Sequence, residues 1–81
     1  MRDEHARSSV TQVRLGGIAL VLAARQGDWP AFDRELEELA GLLVRSGLRL
    51  AEVRDLAQEA VRAATAQGQG ERVTRARRLL A

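Results

Sequence analysis

Residues 27–43 read GDWPAFDRELEELAGLL and hold the chain's only tryptophan, proline and phenylalanine within four positions. The stretch reads as the start of a helix. Asp28 stands where an N-cap belongs, because its carboxylate can accept from a free backbone N–H of the first turn. Pro30 follows inside that turn, where its missing N–H costs nothing. Asp33 lies near enough to the start to favour the helix dipole. Phe32, Leu36, Leu39 and Leu43 then recur at i, i+4, i+7 and i+11, one inward stripe of an α-helix. Trp29 precedes the stripe and is expected to fold over the end of the preceding helix, locking the two helices together. Asp33, Glu35, Glu37 and Glu38 make up the outward face.

Glycines punctuate the chain on either side of this helix. Gly27 and Gly47 stand where helices end, with Arg25 and Arg45 in the last turns before them. Upstream, Ser9 and Gln12 form a capping-box pattern. Val10, Val13, Gly17, Val21 and Ala24 then share a face, with Ile18 and Leu22 beside it. The first helix is therefore expected from Ser9 to about Gln26, with residues 1–8 as a flexible tail before a single helical domain over 9–81. The pair Gly16-Gly17 costs a helix about 1 kcal/mol per glycine relative to alanine, and is read as a place where another helix comes close. Downstream, Leu50, Val53, Leu56, Ala57, Ala60, Val61 and Ala64 mark a third helix closing near Gly68, with Arg49 where a capping Ser or Thr is expected. A short fourth helix follows from Glu71, with Val73, Ala76 and Leu80 on its apolar side.

The expected fold is thus all-α: an antiparallel bundle of three main helices of about 17–19 residues plus a short C-terminal fourth. Short glycine connections make consecutive helices neighbours. A chain of 81 residues buries only about 60–65% of its unfolded surface. It has no cysteine for a disulfide or a thiolate metal site. Its apolar residues are largely Ala, Leu and Val, so the core is thin. Sharing a core between two protomers relieves that deficit, and a dimer is the expectation.

All positive charge is arginine, and the formal net charge is only +2. The distribution says more than the total. Residues 28–47 carry two arginines against five acids, whereas residues 68–81 carry four arginines against one acid. The acidic second helix and the basic end are complementary, within a chain or between chains. The longest apolar run, LGGIALVLAA (residues 15–24), is shorter than the roughly 20 residues that span a bilayer. It lacks the position and flanks of a signal peptide, and a cytoplasmic setting is expected with no membrane role.

Catalytic chemistry finds little material. His5 is the only histidine and stands in the tail without an acid or base partner. There is no Cys nucleophile and no Lys for a Schiff base. Ser8, Ser9 and Ser46 fall at helix ends, where capping explains them. The carboxylate pairs Asp33/Glu37 and Glu35/Glu38 occupy an outward face rather than the buried, unequal environments that acid–base catalysis needs. With no His to complete a ligand set, no metal site follows. The reading is not an enzyme, with no cofactor and no small-molecule substrate.

Two functional classes remain. One is a helical protein–protein interaction or assembly module, homodimeric or docked on another helical protein and regulatory in use. Its expected contacts are Trp29, Phe32, Leu36, Leu39, Leu43, Leu79 and Leu80. The other rests on residues 63–81, AATAQGQGERVTRARRLLA. With Ala66 at a small-residue position, Gly70 in the turn and ERVTRARRLL as second helix, the segment resembles the helix-turn-helix of small bacterial repressors. That resemblance implies double-stranded DNA as partner, with Thr74, Arg75 and Arg78 toward the bases and Arg72 and Arg77 toward phosphates. Glu71 departs from the pattern, which takes an apolar side chain there.

Overall fold

The computed structural model describes the backbone of residues 2–47, 51 and 53–80, with side chains from Val10 onward. Four helices account for most of it: α1 (Arg2–Gln26), α2 (Trp29–Ser46), α3 (Arg54–Ala66) and α4 (Gly70–Leu79). No strand occurs among the described residues. The principal packing pairs are α1 with α2 and α3, and α4 with the same two helices.

Local chemistry sets the boundaries. Gly27 takes the left-handed conformation at φ +70°. Its N–H bonds to the Ala24 carbonyl at 3.2 Å, and the Asp28 N–H reaches the Ala23 carbonyl at 2.9 Å. These two bonds are the Schellman pattern, which satisfies carbonyls that a helix end otherwise leaves open. Gly68, at φ +73°, repeats it at the end of α3, with Gly68 N–H on Thr65 and Gln69 N–H on Ala64. Between the first stop and α2 there is no spare residue. The Asp28 carboxylate accepts from the Ala31 N–H at 3.3 Å, and Pro30 lies in the first turn. Helix α2 starts as its sequence requires.

The core is built by stripes from all four helices. Val13, Leu20 and Ala24 from α1 meet Phe32, Leu36 and Leu39 from α2; all six are essentially inaccessible. Helix α3 contributes Ala57, Ala60 and Ala64, and α4 contributes Val73, Ala76 and the adjoining Leu80. With alanines as its buried residues and Leu56 set against Gly17, α3 approaches α1 closely. A Cβ placed on Gly17 would lie 3.1 Å from the Leu56 Cβ, tighter than ordinary contact, whereas one on Gly16 would meet Leu39 at an unstrained 3.5 Å. The close approach expected of the glycine pair therefore falls on Gly17. A further tie closes the other end: the Gln67 side-chain amide donates to the Ala24 carbonyl at 2.7 Å, joining the ends of α1 and α3.

Three sequence expectations change. Residues 2–8 are helical and continuous with α1, not a tail, and Ser9 lies within the helix instead of capping it. Nothing in RDEHARS breaks a helix, and extending an existing helix fixes one residue per added bond. Ile18 and Leu22 are not on the inward side; Leu20 and Ala23 take that place. The run LGGIALVLAA is apolar all round, so its periodicity leaves open which face is buried. Packing between two helices selects the Val13–Gly17–Leu20–Ala24 line. Finally, α4 begins at Gly70, so that glycine is the first helical residue and not the turn. The expected beginning of the third helix, at Arg49 and Leu50, lies outside the described residues.

Candidate helix-docking surface

The residues expected to form contacts divide sharply. Phe32, Leu36 and Leu39 are at most 1% exposed, Leu43 is 8% and Leu80 is 5%. Their side chains pack inside the chain's own core, so they offer nothing to a partner. Trp29 is half-buried against that core. Its ring stands edge-on to Phe32, with centroids 5.4 Å apart and planes at 70°. The Arg72 guanidinium lies over the Trp29 ring, 5.5 Å from its centroid. Trp29 thus ties α2 to α4. Leu79 alone of the expected contact set stands open to solvent, 40% exposed.

The C-terminal arginines divide as well. Arg72 meets Asp33 in a twin contact, Nε to Oδ1 at 3.1 Å and Nη2 to Oδ2 at 3.2 Å. It also donates to the Gln69 amide oxygen at 2.7 Å. Arg75 pairs with Glu37 and approaches Asp33 at 4.0 Å. The complementarity between the acidic second helix and the basic end is therefore met within the chain, through Asp33 and Glu37, which sequence reasoning had placed on an outward face. Thr74 donates its hydroxyl to the Gly70 carbonyl at 3.1 Å, an i−4 bond within the helix. Arg77 and Arg78 are exposed and have no ion pair among the described residues. Arg77 shares a groove of about 490 Å³ between α3 and α4 with Arg54 and Arg62, over a floor of Ala57, Val61, Ala76 and Leu80.

A different surface emerges on α1. Leu15, Ile18 and Leu22 are 59%, 44% and 49% exposed. Positions i, i+3 and i+7 fall on one line of a helix, and this line is opposite the buried stripe. On its α2 side it opens into a groove of about 590 Å³ lined by Gln12, Leu15, Gly16, Ala19, Leu39 and Leu42, with Glu35, Glu38 and Arg45 at the rim. On the α3 side stand Arg14 and Arg25, eleven residues apart and so nearly in register on the helix; Arg25 pairs with Glu59 of α3. The sequence reading sets Ile18 and Leu22 beside the inward face and does not single out Leu15. The signal was present in the width of the apolar run, which exceeds what one buried face uses.

Among the described residues no polar or charged side chain is buried, and no group of three or more His, Cys, Asp or Glu residues is placed to hold a metal ion. No helix of the described chain is long and apolar enough to cross a membrane. Comparison with protein-family models, with curated proteins and with solved structures finds no match.

Proposed function

We propose that this chain is a small non-enzymatic helical interaction or assembly module, folded as an antiparallel bundle, that works through the outward face of α1. Its partner is a helix, from a second copy or from another helical protein, and its use is regulatory, in the cytoplasm. One observation carries the reading: Leu15, Ile18 and Leu22 lie in a line, each more than two-fifths exposed, beside a groove floored by Ala19 and Leu42. Scattered surface leucines need no explanation, but a contiguous apolar patch with a polar rim is the usual mark of a docking site. The contacts move accordingly, away from the Phe32–Leu43 stripe and onto α1.

The competing reading is a DNA-binding regulator acting through residues 63–81. It draws support from Arg54, Arg62, Arg77 and Arg78, which have no ion pair among the described residues. Against it, Arg72 and Arg75 of the expected contact set are held by Asp33 and Glu37. The two readings separate in one pair of experiments. Sedimentation equilibrium over a wide concentration range is expected to show a mass rising above the monomer. Anisotropy titration against mixed duplex DNA at low and at raised salt is expected to show no binding. A monomer at every concentration that binds DNA with a steep salt dependence transfers the function to the second reading.

A further inference from the structure

We infer that the occupant of the α1 face is a second copy of this chain, joined about a two-fold axis that runs parallel to α1. The inference rests on the docking reading above and specifies its partner and geometry.

Thr11, Leu15, Ile18 and Leu22 follow one another at intervals of four, three and four, and Arg25, the next position, turns aside to Glu59 of α3. Alternation of three and four is the a/d repeat of a coiled-coil seam, which fits best against another helix with the same repeat. The seam begins at polar Thr11 and is aliphatic from Leu15 to Leu22, so a matching copy aligned in register places Leu15, Ile18 and Leu22 together. A shifted copy sets Thr11, or the ion pair of Arg25 with Glu59, against the aliphatic residues.

The flanks decide the direction. One side of the seam carries Glu35, Glu38 and Arg45 on the rim of the α1/α2 groove. Glu35 lies 3.9 Å from Arg34, which leaves Glu38 as the carboxylate nearest the seam without a pair among the described residues. The other side carries Arg14 and Arg25. Arg14 and Glu38 are both exposed, and neither has an ion-pair partner among the described residues. A two-fold axis parallel to the helices turns each flank toward the opposite flank of the partner, so Arg14 of each copy faces Glu38 of the other. An axis across the helices, which makes the two α1 helices antiparallel, instead turns the Glu38 flank of one copy to the Glu38 flank of the other and leaves Arg14 without a carboxylate. Gly16 lies beside Leu39, so Glu38 stands within about one helical turn of the level of Arg14, inside the reach of an arginine side chain. A two-fold arrangement uses the same patch on both copies and closes at the dimer.

Four variants and one mass measurement test this. The wild-type chain is expected to sediment as a reversible dimer. Ile18→Glu is expected to sediment as a monomer with an unchanged far-ultraviolet spectrum, since Ile18 is outside the core. Arg14→Glu is expected to weaken the dimer by about tenfold, and Arg14→Glu with Glu38→Arg to restore it. Thr11→Cys under mild oxidation is expected to give a covalent dimer, because the two copies of position 11 meet across a parallel seam. An antiparallel pairing centred on Ile18 separates them by about 21 Å, far beyond the 4.4–6.8 Å between Cα atoms that a disulfide spans.

The outcomes are separable. A wild-type chain that remains monomeric overturns self-association itself. A dimer untouched by Ile18→Glu overturns the α1 face while leaving self-association standing. A dimer lost on Ile18→Glu but without a Thr11→Cys cross-link, or without rescue by the charge exchange, overturns the parallel axis.

Discussion

Alanine substitutions at Gly16 and Gly17 make a matched pair, one residue apart in the same helix. Each removes a glycine from a helix interior, which by propensity alone stabilises by about 1 kcal/mol. They differ in what the new methyl group meets. At position 16 it lies 3.5 Å from Leu39 Cδ1 and 3.9 Å from Leu39 Cβ, ordinary contact, so the full gain is retained. At position 17 it lies 2.9 Å from Leu56 Cδ1 and 3.1 Å from Leu56 Cβ. The Cδ1 atom can swing aside, but the Cβ moves only with the backbone of α3. That shift loosens the alanine layer of Ala57 and Ala60, and overpacking of this kind costs about 1–3 kcal/mol. Gly17→Ala is therefore expected to range from near neutral to about 2 kcal/mol destabilising, after the propensity gain is counted. Thermal unfolding followed by circular dichroism at one fixed concentration checks the pair, since dimerisation makes Tm concentration-dependent. For a domain of this size about 1 kcal/mol moves Tm by roughly 4–8 °C. Gly16→Ala should melt higher than wild type and Gly17→Ala lower than Gly16→Ala. If Gly17→Ala melts as high as Gly16→Ala, α3 does not rest on α1 at this point and the packing argument fails.

Three further outcomes follow from the same contacts. Asp28→Ala removes the cap of α2 and should cost about 0.5–2 kcal/mol in urea unfolding, while Asp28→Asn keeps most of the stability; equal losses for both would show that the cap is not the reason. Arg72→Ala loses the twin contact to Asp33 and the cover over Trp29, all between partly exposed groups, so about 1 kcal/mol is expected. It should also shift Trp29 emission to longer wavelength, and Arg72→Lys should recover only part of the effect because a lysine cannot make the twin contact; an unchanged emission spectrum would argue against the stacked arrangement. Phe32→Ala empties a fully buried site at a cost of about 3–5 kcal/mol. That is a large share of the total stability of a small domain, and the variant should lose cooperative melting; a sharp, wild-type transition would place Phe32 outside the core.

Helix α2 shows why part of this fold could be read from sequence. Its cap, its first-turn proline, its i, i+4, i+7, i+11 stripe and its closing glycine each act locally, and each is present in the residues themselves. The stops at Gly27 and Gly68 are legible for the same reason. Helix α1 behaves differently. Ten nearly continuous apolar residues satisfy any choice of inward face, and the choice is made by the glycine at position 17 and Leu56 of α3, which are far apart in sequence. Setting Ile18 and Leu22 beside the inward face hides the surface that stands as the docking candidate. The α2–α4 ion pairs were legible as a complementarity of charge but not as individual pairs. Which carboxylates of α2 face α4 depends on how that helix is rotated against its neighbours, and on that rotation Asp33 and Glu37 turn toward the arginines. The Phe32–Leu43 stripe was legible as apolar and inward, and the error was to ask the same side chains to hold both a core and a partner.

The central claim is that α1 presents a docking face to a second copy while the Phe32–Leu43 stripe and the α4 arginines serve the chain's own fold. Amide-resolved NMR spectra recorded over a dilution series test it most directly. The account predicts concentration-dependent shifts at Thr11, Leu15, Ile18, Leu22 and Leu42, with Arg77 and Arg78 unmoved. Spectra that do not change with concentration, or changes centred on α4, would contradict it.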